Sequence, residues 1–382
     1  MNKFIVIEKR KHIMLISSWY PNRLDSYNGD FVQRHAMAIS DISKVSVVHV
    51  EGDPNINKWE LETIHVNEQM TEYLYYFPKS KISLLNFFRK VTGLIKGRNN
   101  LNNIDLIHAN VVHYHFVWLL FQALPYILTE HATQYHRFHS IKNAWLKKIV
   151  YKPIFKGARS VLPVSRHLGR KIEELFGKLP IEVVPNVINI DLFYPNGYKN
   201  PVFTFLHLSN LSEAKNIGGI LSAILYLKQK NFSFRFIIGG NGDIKQVEDF
   251  VEFNKLQDVI QIAPALSHKE VSDYMRSADC FVLFSDFENQ PCVLAEAMAS
   301  GLPFISTDVG GVHEFFPNEG AWLIEKGNVQ QLTDIMQSLI LNNPTIDKAK
   351  LSNYARENFE SSYISQKINK IYNDCLRVTT MK

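Results

Sequence analysis

The 382-residue chain has the length of two generous domains, or of two to three ordinary ones. With 46% apolar and 21% charged residues it reads as a soluble globular protein, which excludes disordered and fibrous classes. Its net charge of +5 is uneven: residues 1–200 carry +10 and residues 201–382 carry −5, so the first half suits an anionic partner such as a phospholipid surface, a lipid-linked phosphate or a nucleic acid.

Along the chain, a basic triplet (Lys9, Arg10, Lys11) precedes a strand-like run at 13–17. No long apolar segment with a cleavage site follows it, so no signal peptide is expected. A polar loop at 18–30 leads to a helix at 31–39, with Val32, His35, Ala36 and Ile39 on one face. Further short apolar strands are expected at 45–50, 105–108, 126–129 and 160–164. Strands this short and apolar, separated by helices, predict a parallel sheet covered on both faces. The longest apolar stretch, 117–128, contains Gln122 and Pro125 and is too short to span a bilayer. The expected location is cytoplasmic, at most touching the inner membrane face, with any membrane contact peripheral.

The pattern restarts in the second half. Strands are expected at 203–208, 234–238, 259–262, 280–284 and 303–306, with a helix at about 216–229. Two successive doubly wound α/β units are the simplest arrangement. A linker is expected near 189–201, rich in Asn, Pro and Gly. The boundary is expected at 195/196, between a first domain of 1–195 and a second domain of 196–359. The periodicity of 354–377 predicts one docking helix through Phe359, Tyr363, Ile368, Ile371 and Tyr372.

Cysteines Cys280, Cys292 and Cys375 are odd in number and widely spaced, which excludes a disulfide framework and a zinc pattern and suits a reducing compartment. Cys280, in an apolar run, is expected as core filler. Histidines His108, His113, His115, His131, His136 and His139 have irregular spacings without grouped Cys or carboxylate ligands, so no metal site is expected among them.

The most informative segment is Ser285-Asp-Phe-Glu-Asn-Gln-Pro-Cys-Val-Leu-Ala-Glu-Ala-Met-Ala-Ser-Gly-Leu-Pro303. Glu288 and Glu296 flank a Pro-interrupted loop that runs into a small-residue helix. Glu296 is expected to open that helix, either holding a ligand diol or interacting with the helix dipole. Backbone N–H groups of Asn289, Gln290, Cys292 and Val293, with Pro291 among them, would lie near the helix start, where anions and sugar oxygens are favoured. Lys215 follows the strand at 203–208 and could supply a fixed cation, or be an ordinary surface lysine. Gly29, between the first strand and helix, suits a turn or a close backbone approach to phosphate. Gly239-Gly-Asn-Gly242 could be a turn or the wall of a ligand loop.

The segment around Glu288 and Glu296, with Pro291, Leu294, Ala297, Met298, Gly301 and Pro303, resembles the E-x7-E region of the retaining, GT-B-fold glycosyltransferases of family 4. The resemblance covers most of the chain and is strongest from about 203 to 314. It implies a GT-B fold: two Rossmann-like doubly wound domains facing across a cleft, with a C-terminal helix at about 360–382 returning to the first domain. It implies that Glu288 faces the donor sugar, that Glu296 binds the ribose hydroxyls, and that Lys215 meets the diphosphate. Asn210 stands where the family carries an Arg, so it contributes a hydrogen bond without a charge. Gly29 matches the family's first-domain glycine loop. His131 takes the place of its donor-facing histidine, and catalytic roles are expected for His131 and Glu288. Val184-Pro-Asn-Val-Ile188 with Phe193 resembles the family's junction motif, with Val187 in place of the usual Gly. Gly310-Gly311 with Glu314 is a lesser match. Ser17-Ser-Trp-Tyr-Pro21 resembles a subset acting in surface-polysaccharide assembly.

The expected function is therefore retaining transfer of a hexosyl-type sugar from a UDP- or GDP-sugar to a glycan or lipid-linked hydroxyl acceptor. No cofactor is expected, and no Asp-x-Asp motif suggests a metal. The alternatives are another GT-B chemistry, such as nucleotide-sugar epimerisation, and a non-catalytic sugar-nucleotide-binding partner. Finally, residues 79–98 carry Lys79, Lys81, Arg89, Lys90, Lys96 and Arg98 with no acid, interleaved with apolar residues. That pattern suits contact with an anionic membrane, or a core-facing helix with a solvated basic face. A nucleic-acid partner is not expected, because no recognised binding module accompanies the charge.

Overall fold

The computed structural model describes residues 10–141, 143–197, 200–263 and 266–380; Lys9 of the basic triplet and residues 381–382 of the expected last helix lie outside them. The chain divides into two compact units: residues up to Val187 together with those from Ser361 onward, and Ile188–Glu360.

The first unit contains β1 (His12–Ser17), α1 (Asp30–Ser40), β2 (Lys44–Asp53), β3 (Glu60–His65), β4 (Met70–Pro78), α2 (Ser83–Asn99), β5 (Leu106–Asn110), β6 (Tyr126–Glu130), α3 (Ala144–Gly157), β7 (Val161–Pro163) and α4 (Arg166–Phe176). Its sheet runs β3-β4-β2-β1-β5-β6-β7. Ile13 to Ile16 are fully buried, as a central strand covered on both faces requires. All pairings are parallel except β3 with β4. That antiparallel edge hairpin departs from the expected all-parallel sheet. Nearly all of β3 is exposed and it carries Glu60 and Glu62, so it lacks the apolar run that marks the other strands.

The second unit contains β8 (Thr204–Leu208), α5 (Ile217–Gln229), β9 (Arg235–Gly239), α6 (Lys245–Phe253), β10 (Ile260–Ala263), α7 (His268–Ser277), β11 (Cys280–Leu283), α8 (Cys292–Ala299), β12 (Phe304–Thr307), β13 (Ala321–Ile324), α9 (Val329–Asn342) and α10 (Lys348–Phe359). Its wholly parallel sheet runs β10-β9-β8-β11-β12-β13. Each sheet grows outward from its first strand in one direction and then reverses. The reversals fall between β1 and β5 and between β8 and β11. Ligands of such sheets bind beyond the strand ends at that point.

Two boundaries differ from the sequence expectation. Residues 188–195 belong to the second unit, not the first. Ile188 N–H donates to the Phe359 carbonyl at 2.9 Å, and Phe193 is buried among Leu206, Phe281 and Met298 of that unit's core. The expected single helix at 354–377 is two helices. Glu360 is extended (φ −65°, ψ 146°), which ends α10 before α11 (Ser361–Thr380) begins. Ile364, Ile368, Ile371 and Tyr372 of α11 are buried in the core of the first unit. Cys280 is fully buried in β11, as core filler.

Candidate functional site

In the second unit the two strands flanking the reversal each deliver one charged side chain. Lys215 follows β8 and Glu288 follows β11. Lys215 Nζ donates to Glu288 Oε1 at 2.6 Å, with side-chain exposures of only 18% and 8%. A backbone bond supports the pairing: Asp286 N–H donates to the Ala214 carbonyl at 2.7 Å, fastening the loop of one to the loop of the other. Burying two charges costs several kcal/mol per ion before pairing, so this contact holds only because its geometry is good. It also leaves a lysine and a carboxylate side by side at the place where the fold receives ligands.

Glycines hold these loops at close range. Gly310 has φ +61°, and a Cβ there would lie 1.7 Å from the Glu288 carbonyl oxygen. Gly240 has φ +143°, and its Cβ would meet the Ser209 carbonyl oxygen at 1.6 Å. No side chain fits either place. Gly239-Gly-Asn-Gly242 is thus a wall packed on the 209–211 loop rather than an isolated turn. That loop is further fixed by His207, whose ring bonds the Val282 carbonyl at 2.8 Å and Ser209 Oγ at 2.8 Å. Burial holds His207 neutral, lowering its pKa to about 4.

Asn210 is exposed, and its Oδ1 accepts from Ser212 N–H at 3.3 Å. Asn289 and Gln290 are buried, Pro291 is the N-cap of α8, and Cys292 and Val293 are its half-buried first residues. Glu296 is buried, but it is the fifth residue of α8 and not in its first turn. The expectation that it opens the helix is corrected. A second-turn carboxylate gains little from the helix dipole, which falls off within one turn. That weakens the structural explanation for a buried carboxylate there.

In the first unit, Gly29 is the N-cap of α1 with φ +70°, and a Cβ would lie 2.4 Å from the Trp19 carbonyl. His131 immediately follows β6 and packs beside the start of α1, with its ring centroid 4.6 Å from Phe31 and 5.4 Å from His35. Burial, followed by the nearby His35, keeps the imidazole neutral, with a pKa well below its ordinary value. Its Nδ1–H donates to Asn186 Oδ1 at 2.9 Å. That fixes the tautomer with the lone pair on Nε2. The preceding Glu130 anchors the loop. Its oxygens accept from the N–H groups of Val112, His131 and Ala132, each at 3.0 Å, and from Tyr135 O–H at 2.7 Å. Burial raises its pKa, and these bonds oppose the rise. Asn186 and Glu130 were not among the expected site residues. The Val184-Pro-Asn-Val segment was noted, but only the tertiary contact shows that its Asn orients His131. Val187 takes up no positive φ, so the missing glycine of that segment is not required here.

The fold and these loops define the class: an α/β protein of two Rossmann-like units in the GT-B manner. Solved structures agree on the fold. Sucrose-phosphate synthase from Thermosynechococcus elongatus superposes with TM-score 0.79 at 18% identity, over 97% of this chain and 100% of that one. HepE of Anabaena, in complex with UDP and glucose, superposes with TM-score 0.71 at 15% identity, over 96% of this chain and all of that one. The particular family follows from the sequence. Residues 43–192 match the model described as Glycosyltransferase Family 4, and residues 193–358 match that described as Glycosyl transferases group 1. The chain belongs to this glycosyltransferase family.

Among its relatives are the amylovoran biosynthesis glycosyltransferase AmsK of Erwinia amylovora, 29% identical over 203 residues, and the colanic acid biosynthesis glycosyltransferase WcaL of Escherichia coli K12, 25% identical over 232 residues. The matched stretches span 50% and 58% of this chain, but only 49% and 57% of those relatives.

Proposed function

We propose that the protein transfers a sugar from a nucleotide-sugar donor to a hydroxyl acceptor in the synthesis of a surface polysaccharide or lipid-linked glycan, with retention of anomeric configuration. The observation that carries this reading is the ion pair between half-buried Lys215 and buried Glu288 at the reversal of the second sheet. A leaving diphosphate needs a fixed cation, and a sugar hydroxyl needs a carboxylate acceptor. Donor binding would exchange the ion pair for these two contacts. Glu296 would take the ribose hydroxyls. Asn210, its amide N–H₂ still a donor, would assist the phosphates, and the backbone of residues 289–293 would line the sugar. In the first unit, neutral His131 would accept a sugar O–H at Nε2, and Gly29 would give a phosphate close access to backbone.

In the reaction the bond between the anomeric carbon and phosphate oxygen breaks, and the acceptor oxygen bonds that carbon on the same face. The acceptor's proton passes to the departing phosphate. No protein nucleophile and no metal is assigned, since Lys215 supplies the positive charge. The donor is a hexosyl-type UDP- or GDP-sugar; the UDP and glucose bound by HepE support the first. Relatives named as glycosyltransferases favour transfer over epimerisation or a non-catalytic role. Among the described residues no helix is long and apolar enough to cross a membrane. Exposed Ile82, Leu84 and Phe88 beside the basic residues of 79–98 support peripheral contact with an anionic membrane on the cytoplasmic side.

The test is thermal stabilisation by UDP-, GDP-, ADP- and dTDP-sugars. One nucleotide class should stabilise the protein, and Glu296→Ala should abolish the shift. No stabilisation by any donor, with transfer also undetectable, overturns the reading.

A further inference from the structure

The donor loops use only one end of the second unit's sheet. Lys215 and Glu288 follow β8 and β11, at the carboxyl ends of the strands, whereas Phe203, Asp279 and Pro303 immediately precede β8, β11 and β12, at the amino ends. A hollow of about 180 Å³ opens there, bounded by those three residues, by Trp322 of β13 and by the 343–348 segment between α9 and α10. A second hollow of about 260 Å³ adjoins it, against Ile335, Ser338 and Asn342 of α9. Trp322, Leu339 and Pro344 line both, so the half-buried indole is shared between them.

The walls are largely apolar, yet the polar groups among them have bonding capacity to spare. Asp279 Oδ2 accepts from Thr204 N–H at 2.8 Å and from Asn200 Nδ2 at 2.9 Å, and Oδ1 takes no hydrogen bond among the described residues. Burial raises the pKa of this carboxyl; the Thr204 N–H, Asn200 and the charge of Lys348 oppose the rise. Lys348 makes no hydrogen bond or ion pair among the described residues. As the first residue of α10 it stands where a cation opposes the helix dipole, so the helix gains nothing from its charge. Asn343 caps α9 with φ +37°, and neither its side chain nor the Trp322 indole N–H bonds to a described residue. Asn342 donates to Ser338 Oγ at 3.1 Å and keeps its carbonyl oxygen.

The charges select the ligand class. An anion would meet Asp279 and a cation would meet Lys348, so the site suits a neutral molecule. Its polar groups include a carboxylate that only accepts, an ammonium and an indole N–H that only donate, and amides that do both. Hydroxyls answer all of them. The aromatic and aliphatic walls ask for an apolar face on the same molecule. A sugar ring, with C–H faces and a rim of hydroxyls, has both. We propose that this end of the second unit is a non-catalytic binding site for a neutral oligosaccharide, with one sugar in each hollow and Trp322 between them. The site goes beyond the transfer reading: it would hold the enzyme on a glycan between transfers and raise the effective concentration of each for the other.

The experiment is saturation-transfer NMR and calorimetric titration of the full-length protein with neutral disaccharides of glucose, galactose, mannose and N-acetylglucosamine. Choline and inorganic phosphate serve as the cationic and anionic probes. At least one disaccharide should bind with a Kd at or below about 1 mM, unaffected by saturating UDP or GDP and by Glu296→Ala. Trp322→Ala should weaken it at least about tenfold. Since Trp322 also packs in β13, a second variant joins Lys348→Ala to Asn343→Gly, which tolerates the positive φ. It should weaken binding at least about fivefold with the melting temperature unchanged. Binding of no disaccharide overturns the proposal. So does binding that UDP or GDP displaces, which belongs to the donor loops, or binding that both variants leave intact. Tighter binding of choline or phosphate than of any disaccharide overturns the ligand class. Nucleotide-sugar stabilisation in the same samples keeps the two ideas apart. If it persists while disaccharide binding fails, this inference falls and the glycosyltransferase reading stands; if it alone is absent, that reading fails and this site remains.

Discussion

The two units share an architecture but hold their candidate groups by different means. In the second unit, glycine-rich loops clamp backbone to backbone, so Lys215 and Glu288 are placed by main-chain geometry. In the first, Gly29 is packed on backbone in the same way, but side chains hold His131: Glu130 gathers three backbone N–H groups, and Asn186 orients the ring. The first unit also buries His35, His49, His108, His115 and His131, whereas the second buries only His207 among its described residues. Main-chain clamps need particular residues at fixed spacing and leave a motif. Side-chain holding uses residues from distant segments and leaves little trace.

Acid should separate the units most strongly. Burial lowers His35 and His49 to about 4 and His108 to about 3. Their unfolded forms titrate near 6.5, so below that pH the unfolded chain binds protons that the folded chain refuses. Stability contributed by these neutral histidines is complete above about pH 6.5 and is lost as pH falls toward 4. At about 1.4 kcal/mol for each tenfold change in proton affinity, the first unit should lose several kcal/mol more than the second. Glu130, raised by burial, runs the other way and offsets part of this. Hydrogen exchange by mass spectrometry between pH 7 and 4.5 should show segments of the first unit opening first; simultaneous opening would remove the contrast.

Lys215→Ala should lower kcat/KM by about 10²–10³-fold, since it removes the fixed cation and strands Glu288. A glycosyl-transfer assay checks it, and near-normal turnover would move the diphosphate site elsewhere. Gly310→Ala should cost about 3 kcal/mol in a denaturant titration and abolish nucleotide stabilisation, because its Cβ has no space beside the Glu288 carbonyl. If the loss of stability came without loss of binding, the clamp would be structural only. The smallest effect is expected for Asn186→Ala. It should lower kcat by about 10–100-fold by releasing the His131 tautomer, with nucleotide stabilisation unchanged. A change confined to stability would make Asn186 a packing residue.

Most of the fold was legible. The apolar runs that became β1, β2, β5 to β7 and β8 to β12 are short and bounded by turns, and burial on both faces demands such runs. The edge strand β3 was not, because an exposed edge needs no apolar pattern. Lys215, Glu288 and Glu296 were legible as a motif, although the turn of α8 holding Glu296 was not. The break at Glu360 left no mark in the periodicity of 354–377, because α10 and α11 both continue a helical period while burying their apolar faces in different cores; only the resemblance gave a helix starting at about 360.

By itself, then, the sequence determined two doubly wound units, their loop glycines and the carboxylates and lysine of the second, since each depends on local spacing. Only the tertiary structure decided the Lys215–Glu288 pairing, the Asn186 hold on His131, and the groove where α2 meets the 114–121 turn. These join residues 73, 55 and roughly 30 positions apart. Contacts at such separations arise from how strands and helices pack, not from any repeat along the chain.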